Sequence, residues 1–235
     1  MDRVKEPELM DSPEQSEAYA GADFSTSEEA LINGLGKYLQ TIKKNVDQTT
    51  LIVDLGCGPG NISGKLAMRW PSAHVLGIDG SLEMLKIARK RSNSSAGGLN
   101  RSSLSYELAS LKSIIKKSDE FNVNADIVIS NSVLHHVHNP SEFWNGLKVL
   151  SCQNVVHYHR DLKRPDCIED AIYLQEKYLP DAPEILKKDF LASLCASFTI
   201  QEVKDQLNKF GLNTLKVSDS EEHYLEIFGI ANNDS

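Results

Sequence analysis

The stretch Thr50–Ala67, "TLIVDLGCGPGNISGKLA", decides the fold. An apolar strand ends in Asp54, a turn follows with glycines at 56, 58 and 60, and a helix begins at "NISGKLA". Glycines so placed allow unusual dihedrals and a close backbone approach to a ligand. By themselves they leave a nucleotide, a phosphate and a plain tight turn open. Two acids narrow the choice. Asp54 ends the first strand, and Asp79 ends the second, "HVLGID" at 74–79. A carboxylate at the end of the second strand suits a ribose diol. The dinucleotide fingerprint is G-x-G-x-x-G, but here the third glycine comes one place early and Asp54 would repel a pyrophosphate. A ligand carrying a cationic sulfonium and an amino group fits Asp54 better.

Working outward, the same strand–turn–helix unit recurs. "SLEMLKIARKR" is an amphipathic helix capped by Ser81, and "SNSSAGGLNRSS" is a loop by composition. "LSYELAS" is expected to be a third strand and "ADIVISNS" a buried fourth. "NPSEFWNGLKVL" opens as a helix at Asn139 and Pro140, and "NVVHYHR" is strand-like. Units recurring from 50 to 158 predict a parallel sheet with helices on both faces. Its ligand should lie beyond the carboxyl ends of the strands, where "DLGCGPG", "GIDGS" and "SNSVLHH" all fall.

The alternation breaks over 161–198, where prolines 165, 180 and 183 divide a helical segment that carries no strand pattern. Thr199 and Glu202 then form a capping box for a helix stopped by Gly211, and two strands close the chain. Ahead of the first strand, Ser12 and Pro13 open a short helix, and Leu31, Leu35 and Leu39 mark another over 28–43. The expected organisation is an N-terminal helical cap or lid at 1–48, then one domain at 49–235 with a helical insertion at about 161–198.

The chain has 235 residues, 40% of them apolar, and a net charge of -8, so its surface repels phosphate backbones on average. Nucleic acid is therefore a poor first partner. The four cysteines form no CxxC pair, and the bland reading is free thiols in a reducing compartment. The lack of a long apolar run predicts neither a membrane span nor a secretory signal, and a cytoplasmic location. A monomer or homodimer is expected.

"VDLGCGPGNISGKLA…HVLGIDGS" resembles the class I S-adenosylmethionine-dependent methyltransferases, whose first motif is a hydrophobic strand, an acid and GxGxG. "ADIVISNSVLHHVHNPSEFW" is similar to their fourth-strand motif. The likeness covers about 50–160 in motif and 199–230 by topology. It implies a Rossmann-like α/β fold: a mostly parallel seven-stranded sheet, helices on both faces and an antiparallel C-terminal strand. It also implies S-adenosyl-L-methionine as cofactor. Gly56, Gly58 and Gly60 would pass under its methionine and ribose parts, with Asp54 near the amino group and Asp79 on the ribose hydroxyls. Gly80 and Ser81 would flank the adenine, Met84 would pad the ring, and Asn131 would face the methionine moiety. Two features depart from the family. The acidic turn after strand three is replaced by Leu108, Ala109 and Ser110, leaving backbone groups or the Ser110 hydroxyl for the adenine. No glycine-rich turn precedes strand five, in "LSCQNVVHYH".

Methyl transfer is an in-line attack on a sulfonium methyl, so alignment and exclusion of water matter most. A base is needed only where the nucleophile must lose a proton. In "HHVH", His135 comes soonest after the fourth strand and is the candidate at the transfer site. If that stretch were helical, His135 and His138 would share a face, and no nearby acid or cysteine completes a metal set, so no metal is expected. In "HYHRDLKRP", His159 or Asp161 is the candidate base, Arg160 or Arg164 could pair with Asp161, and an arginine could meet an acidic acceptor. Tyr19 and the insertion aromatics are candidates to cover the site. The expected function is methylation of a small-molecule acceptor. The alternatives are a nicotinamide-dependent oxidoreductase, a non-catalytic cofactor-binding partner protein, and a protein or RNA methyltransferase. "SNSVLHH" lacks the N/D-P-P-Y/F type of motif found in many enzymes that methylate base nitrogens.

Overall fold

The computed structural model describes residues 1–6, 12–94, 103–119, 121 and 123–232. Much of the loop expected at 92–103 lies outside them.

Two strands are apolar on both faces because they run through the middle of the sheet: β1 (Leu51–Leu55) and β4 (Ala125–Asn131). Flanking them are β2 (His74–Asp79), β3 (Leu104–Leu108), β5 (Ser151–Leu162), β6 (Lys216–Ser220) and β7 (Tyr224–Ala231). The sheet order is β3-β2-β1-β4-β5-β7-β6. Strands β1 to β5 are parallel, while β7 runs antiparallel to both β5 and β6. This is the mostly parallel, seven-stranded Rossmann-like sheet that the motifs imply.

The two-residue side-chain period splits β1 between two cores. Val53 and Leu55 join Val128, Phe143, Trp144 and Leu147 on one face. Ile52 joins Ile127, Ile129, Leu31, Leu35 and Leu66 on the other. Helices α5 (Leu111–Lys116), α6 (Pro140–Leu150) and α9 (Ile200–Lys209) cover the first face through Ile114, Phe143 and Val203. The second is covered by α2 (Ser25–Thr41) and α3 (Asn61–Arg69), while α4 (Leu82–Ser94) packs beside β2 and β3. The stripe of Leu31, Leu35 and Leu39 that reveals α2 in sequence is buried against the sheet. Thus α2 packs as a layer on the sheet and reaches the site through Ser27 and Glu28 of its first turn, while α1 (Pro13–Gly21) contributes Tyr19. Ser12 caps α1 as expected, accepting from the Gln15 N–H at 3.1 Å.

β5 extends two residues past the expected "NVVHYHR", because β7 pairs along it as far as Leu162 with Tyr224. The missing glycine turn before it is built differently. α6 runs straight into the strand at Ser151, and Asn154 takes the left-handed conformation at φ 59° beside a register shift against β4. Asparagine is among the few residues that adopt this conformation readily. Beyond β5, the segment between β5 and α9 folds as two helices, α7 (Ile168–Tyr178) and α8 (Glu184–Ala196). They close a small core with Leu162 and Tyr224 at the carboxyl end of the sheet. No helix of the described residues is long and apolar enough to cross a membrane.

Candidate active site

A cavity opens beyond the carboxyl ends of β1, β2 and β4. Asp54, Gly56, Gly58, Asp79, Gly80, Ser81, Met84, Ala109, Ser110, Asn131 and Tyr19 all line it. The glycine turn is tied to β2: the Gly56 N–H donates to the Ile78 carbonyl at 2.7 Å. The Gly58 N–H donates to one Asp79 oxygen and the Ser81 N–H to the other, each at 2.7 Å. Asp79 therefore shapes the turn from inside and still faces the cavity. A Cβ on Gly56 would run into the Val133 side chain, so the close approach of β1 and β4 requires glycine there. Gly60 differs from expectation. It lies behind the cavity as the left-handed cap of α3, where a Cβ would meet Tyr106 Oη at 2.5 Å, and it serves packing.

Asp54 is buried, with its carboxylate accepting from Ser63 Oγ at 2.6 Å. Burial is the main reason its pKa is pushed up to about 7, and the nearby Asp79 charge adds to it. Asn131 Oδ1 is a buried acceptor with no hydrogen-bond partner in the cavity wall. A buried carboxylate and an orphaned acceptor in one wall fit a ligand that brings positive charge and N–H donors. Where the acid is missing after β3, the Ala109 N–H bonds to the Asp79 carbonyl at 3.0 Å. The Ser110 hydroxyl accepts from the Ser113 N–H at 3.2 Å as the cap of α5.

The acid–base candidates are distributed differently from expectation. His159 does not reach the cavity. It is buried against Phe143, bonded to Ser130 Oγ at 2.9 Å and to His157 Nδ1 at 3.1 Å, and burial holds its pKa well below the ordinary value. Asp161 sits behind the wall. One of its oxygens accepts the Val133 and Leu134 N–H groups at 2.8 and 2.7 Å, and the other meets His135 Nδ1 at 2.6 Å. It positions the loop after β4. His135 does line the cavity, with Asp161 on one ring nitrogen and Glu6 Oε1 3.5 Å from the other. Neither arginine pairs with Asp161. Arg160 meets Glu221 at 2.8 Å and stacks on Tyr224, while Arg164 meets Glu202 at 2.7 Å.

"LHH" folds as a single 3-10 turn over Leu134–His136, which brings the rings of His135 and His136 to 4.2 Å. His135 therefore neighbours His136 in place of His138. Glu6, 129 positions earlier, joins them, with Oε1 3.2 Å from His136 Nδ1. Nothing local in the sequence marks Glu6; its place depends on the N-terminal arm crossing the site.

A family model described as a methyltransferase domain matches residues 47–211. Trans-aconitate 2-methyltransferase of Azoarcus sp. (strain BH72) is 53% identical over 45 residues, 19% of this chain and 18% of that protein. The enzyme of that name from Streptomyces coelicolor is 35% identical over 95 residues, 40% of this chain and 29% of that protein. The chain thus matches less than a third of the length of these curated relatives. The plantazolicin methyltransferase BpumL, solved with SAH and a pentazolic desmethyl analogue, superposes with a TM-score of 0.70 at 17% identity, covering 94% of this chain and 92% of that one. With the motif-bearing turn, the sheet order and the family match all in place, the chain belongs to the methyltransferase-domain family and has the class I S-adenosylmethionine-dependent methyltransferase fold.

Proposed function

We propose that the protein transfers a methyl group from S-adenosylmethionine to a small-molecule acceptor. The single observation that carries this reading is the cavity wall in which the buried Asp54 carboxylate and the unpartnered Asn131 Oδ1 lie together, next to Asp79. Those groups would hold the amino group and the ribose diol. The cofactor supplies an electrophilic methyl on a sulfonium with a good leaving group. This chain's residues align the acceptor and exclude water. His135 and Asp161 contribute by fixing the wall beside the acceptor.

The acceptor side is lined by Phe24, Leu162, Leu179, Leu186, Phe190 and Tyr224. Among the described residues no arginine lines the cavity, and Lys112 is the one ammonium that does. Such walls fit an acceptor with an apolar body. The relatives' names favour a second reading, a polycarboxylate acceptor, but among the described lining side chains Lys112 is the one ammonium to meet three carboxylates, and Glu142 and Asp189 would repel them.

Calorimetry with S-adenosylmethionine, S-adenosylhomocysteine and NAD in parallel tests the cofactor. Both sulfur ligands should bind, and binding of NAD alone would overturn the reading. A radiolabelled-methyl screen of apolar hydroxyl, thiol and amine acceptors beside trans-aconitate then tests the acceptor. Turnover of trans-aconitate alone would favour the second reading.

A further inference from the structure

We infer that Glu6, His135 and His136 form a divalent-metal site, best matched to zinc, in the acceptor-side wall of the cavity. Three donor atoms, one from each residue, lie within 4.8 Å of one another. Glu6 Oε1 is 3.5 Å from His135 Nε2 and 3.2 Å from His136 Nδ1. The edge of a tetrahedron around an ion with bonds of about 2.0–2.1 Å is about 3.3 Å, so these separations are those of neighbouring ligands.

Hydrogen bonding orients the set. His135 Nδ1–H donates to Asp161 Oδ1 at 2.6 Å, which turns Nε2 toward the Glu6 oxygen. A metal ion between Nε2 and the Glu6 carboxylate satisfies both, the rival occupant being a proton on Nε2. A carboxylate behind a histidine is the usual support of a metal-bound imidazole. Glu6 is delivered with equal care. Its other oxygen accepts from Ser193 Oγ at 3.0 Å, its carbonyl accepts from His138 Nε2 at 2.5 Å, and its Oε1 makes no hydrogen bond. Arg3 fastens the arm by donating to the carbonyls of His135 and Val137 at 2.8 and 3.1 Å.

Two imidazoles and one carboxylate suit zinc, and three protein ligands leave a fourth position for solvent or a ligand atom. His135 and His136 both line the cavity, so that position is accessible to an acceptor bearing an oxygen or sulfur donor. The ion would also staple the N-terminal arm to the loop after β4.

The test uses the full chain, stripped with a chelator and titrated with zinc by calorimetry, then with cobalt to read tetrahedral d–d absorption. One ion per chain should bind with a tetrahedral cobalt spectrum. Binding should be lost in Glu6→Gln and His136→Ala and weakened about 10–100-fold in Asp161→Asn. Zinc should also slow proteolysis of the arm in the wild type and leave Glu6→Gln unprotected. No zinc binding, or binding unchanged in both Glu6→Gln and His136→Ala, would overturn the site and leave His135 as an imidazolium shared by two carboxylates. These readouts need no methyl donor, so their failure is separate from failure of the methyl-transfer reading.

Discussion

Replacing Asp54 with asparagine should stabilise the ligand-free protein at alkaline pH and weaken its grip on a cationic ligand. Burial moves the Asp54 carboxyl from its ordinary 3.8 to about 7. The folded state therefore holds this proton more tightly than the unfolded chain. Between those two values it binds more protons, so stability falls as pH rises through the window. Above the upper value the full cost is about 4 kcal/mol, at 1.36 kcal/mol per pH unit. Asparagine keeps an oxygen for the Ser63 hydroxyl, which now donates at 2.6 Å, and removes the charge. Its new N–H donors face the cavity and return part of the gain, leaving about 2–4 kcal/mol. Urea unfolding of both proteins at about pH 4 and about pH 8 measures this, with the variant ahead only at the higher pH. Buried His157, whose pKa is lowered to about 4, acts in the opposite direction across an overlapping window, but it is common to both proteins and cancels in the difference. A variant-minus-wild-type difference that is the same at both pH values would refute the reasoning. In calorimetry the same substitution should cost S-adenosylmethionine affinity on the order of 2–4 kcal/mol, the attraction of a cation for a carboxylate at about 4 Å in a medium of effective dielectric about 20.

Asp79→Ala should weaken binding of S-adenosylhomocysteine by about 1.5–3 kcal/mol for each diol hydrogen bond lost; wild-type affinity would end its proposed role. The same variant should lower the melting temperature, because the Gly58 and Ser81 N–H groups lose their acceptor. Gly56→Ala should destabilise, with about 1–2 kcal/mol from the left-handed φ of 69° and more from overlap with Val133. Adding Val133→Ala should recover only the overlap part in denaturant unfolding, and no recovery would mean that β1 and β4 are less closely apposed. Deleting residues 1–25 removes Tyr19 from the cavity and should lower both cofactor affinity and turnover; unchanged values would show that the arm is no lid.

What the sequence by itself determined is whatever rests on local pattern. Short apolar runs bounded by polar residues announce the central strands, Leu31–Leu35–Leu39 announces α2, and the capping box at Thr199 and Glu202 forms as its spacing requires. The alternating glycines and the acids at 54 and 79 converge because each lies at the carboxyl end of a strand of one parallel sheet, so their meeting in one cavity wall was legible residue by residue, apart from Gly60. Tertiary structure decided which acid–base side chains reach the cavity. His159 and Asp161 alternate correctly on β5, yet only packing against α6 and the loop after β4 shows that one is sealed in the core and the other faces away from the cavity. Arg160 and Arg164 could not be assigned partners from sequence, since Glu221 and Glu202 reach them through the β7 hairpin and α9. Glu6 meets His135 and His136 only because the arm is fastened across the site at Arg3, and no periodicity encodes a contact between residues so far apart in the chain. Secondary structure and turns depend on neighbours in sequence, whereas the chemistry of this cavity depends on which distant side chains the packed layers bring together.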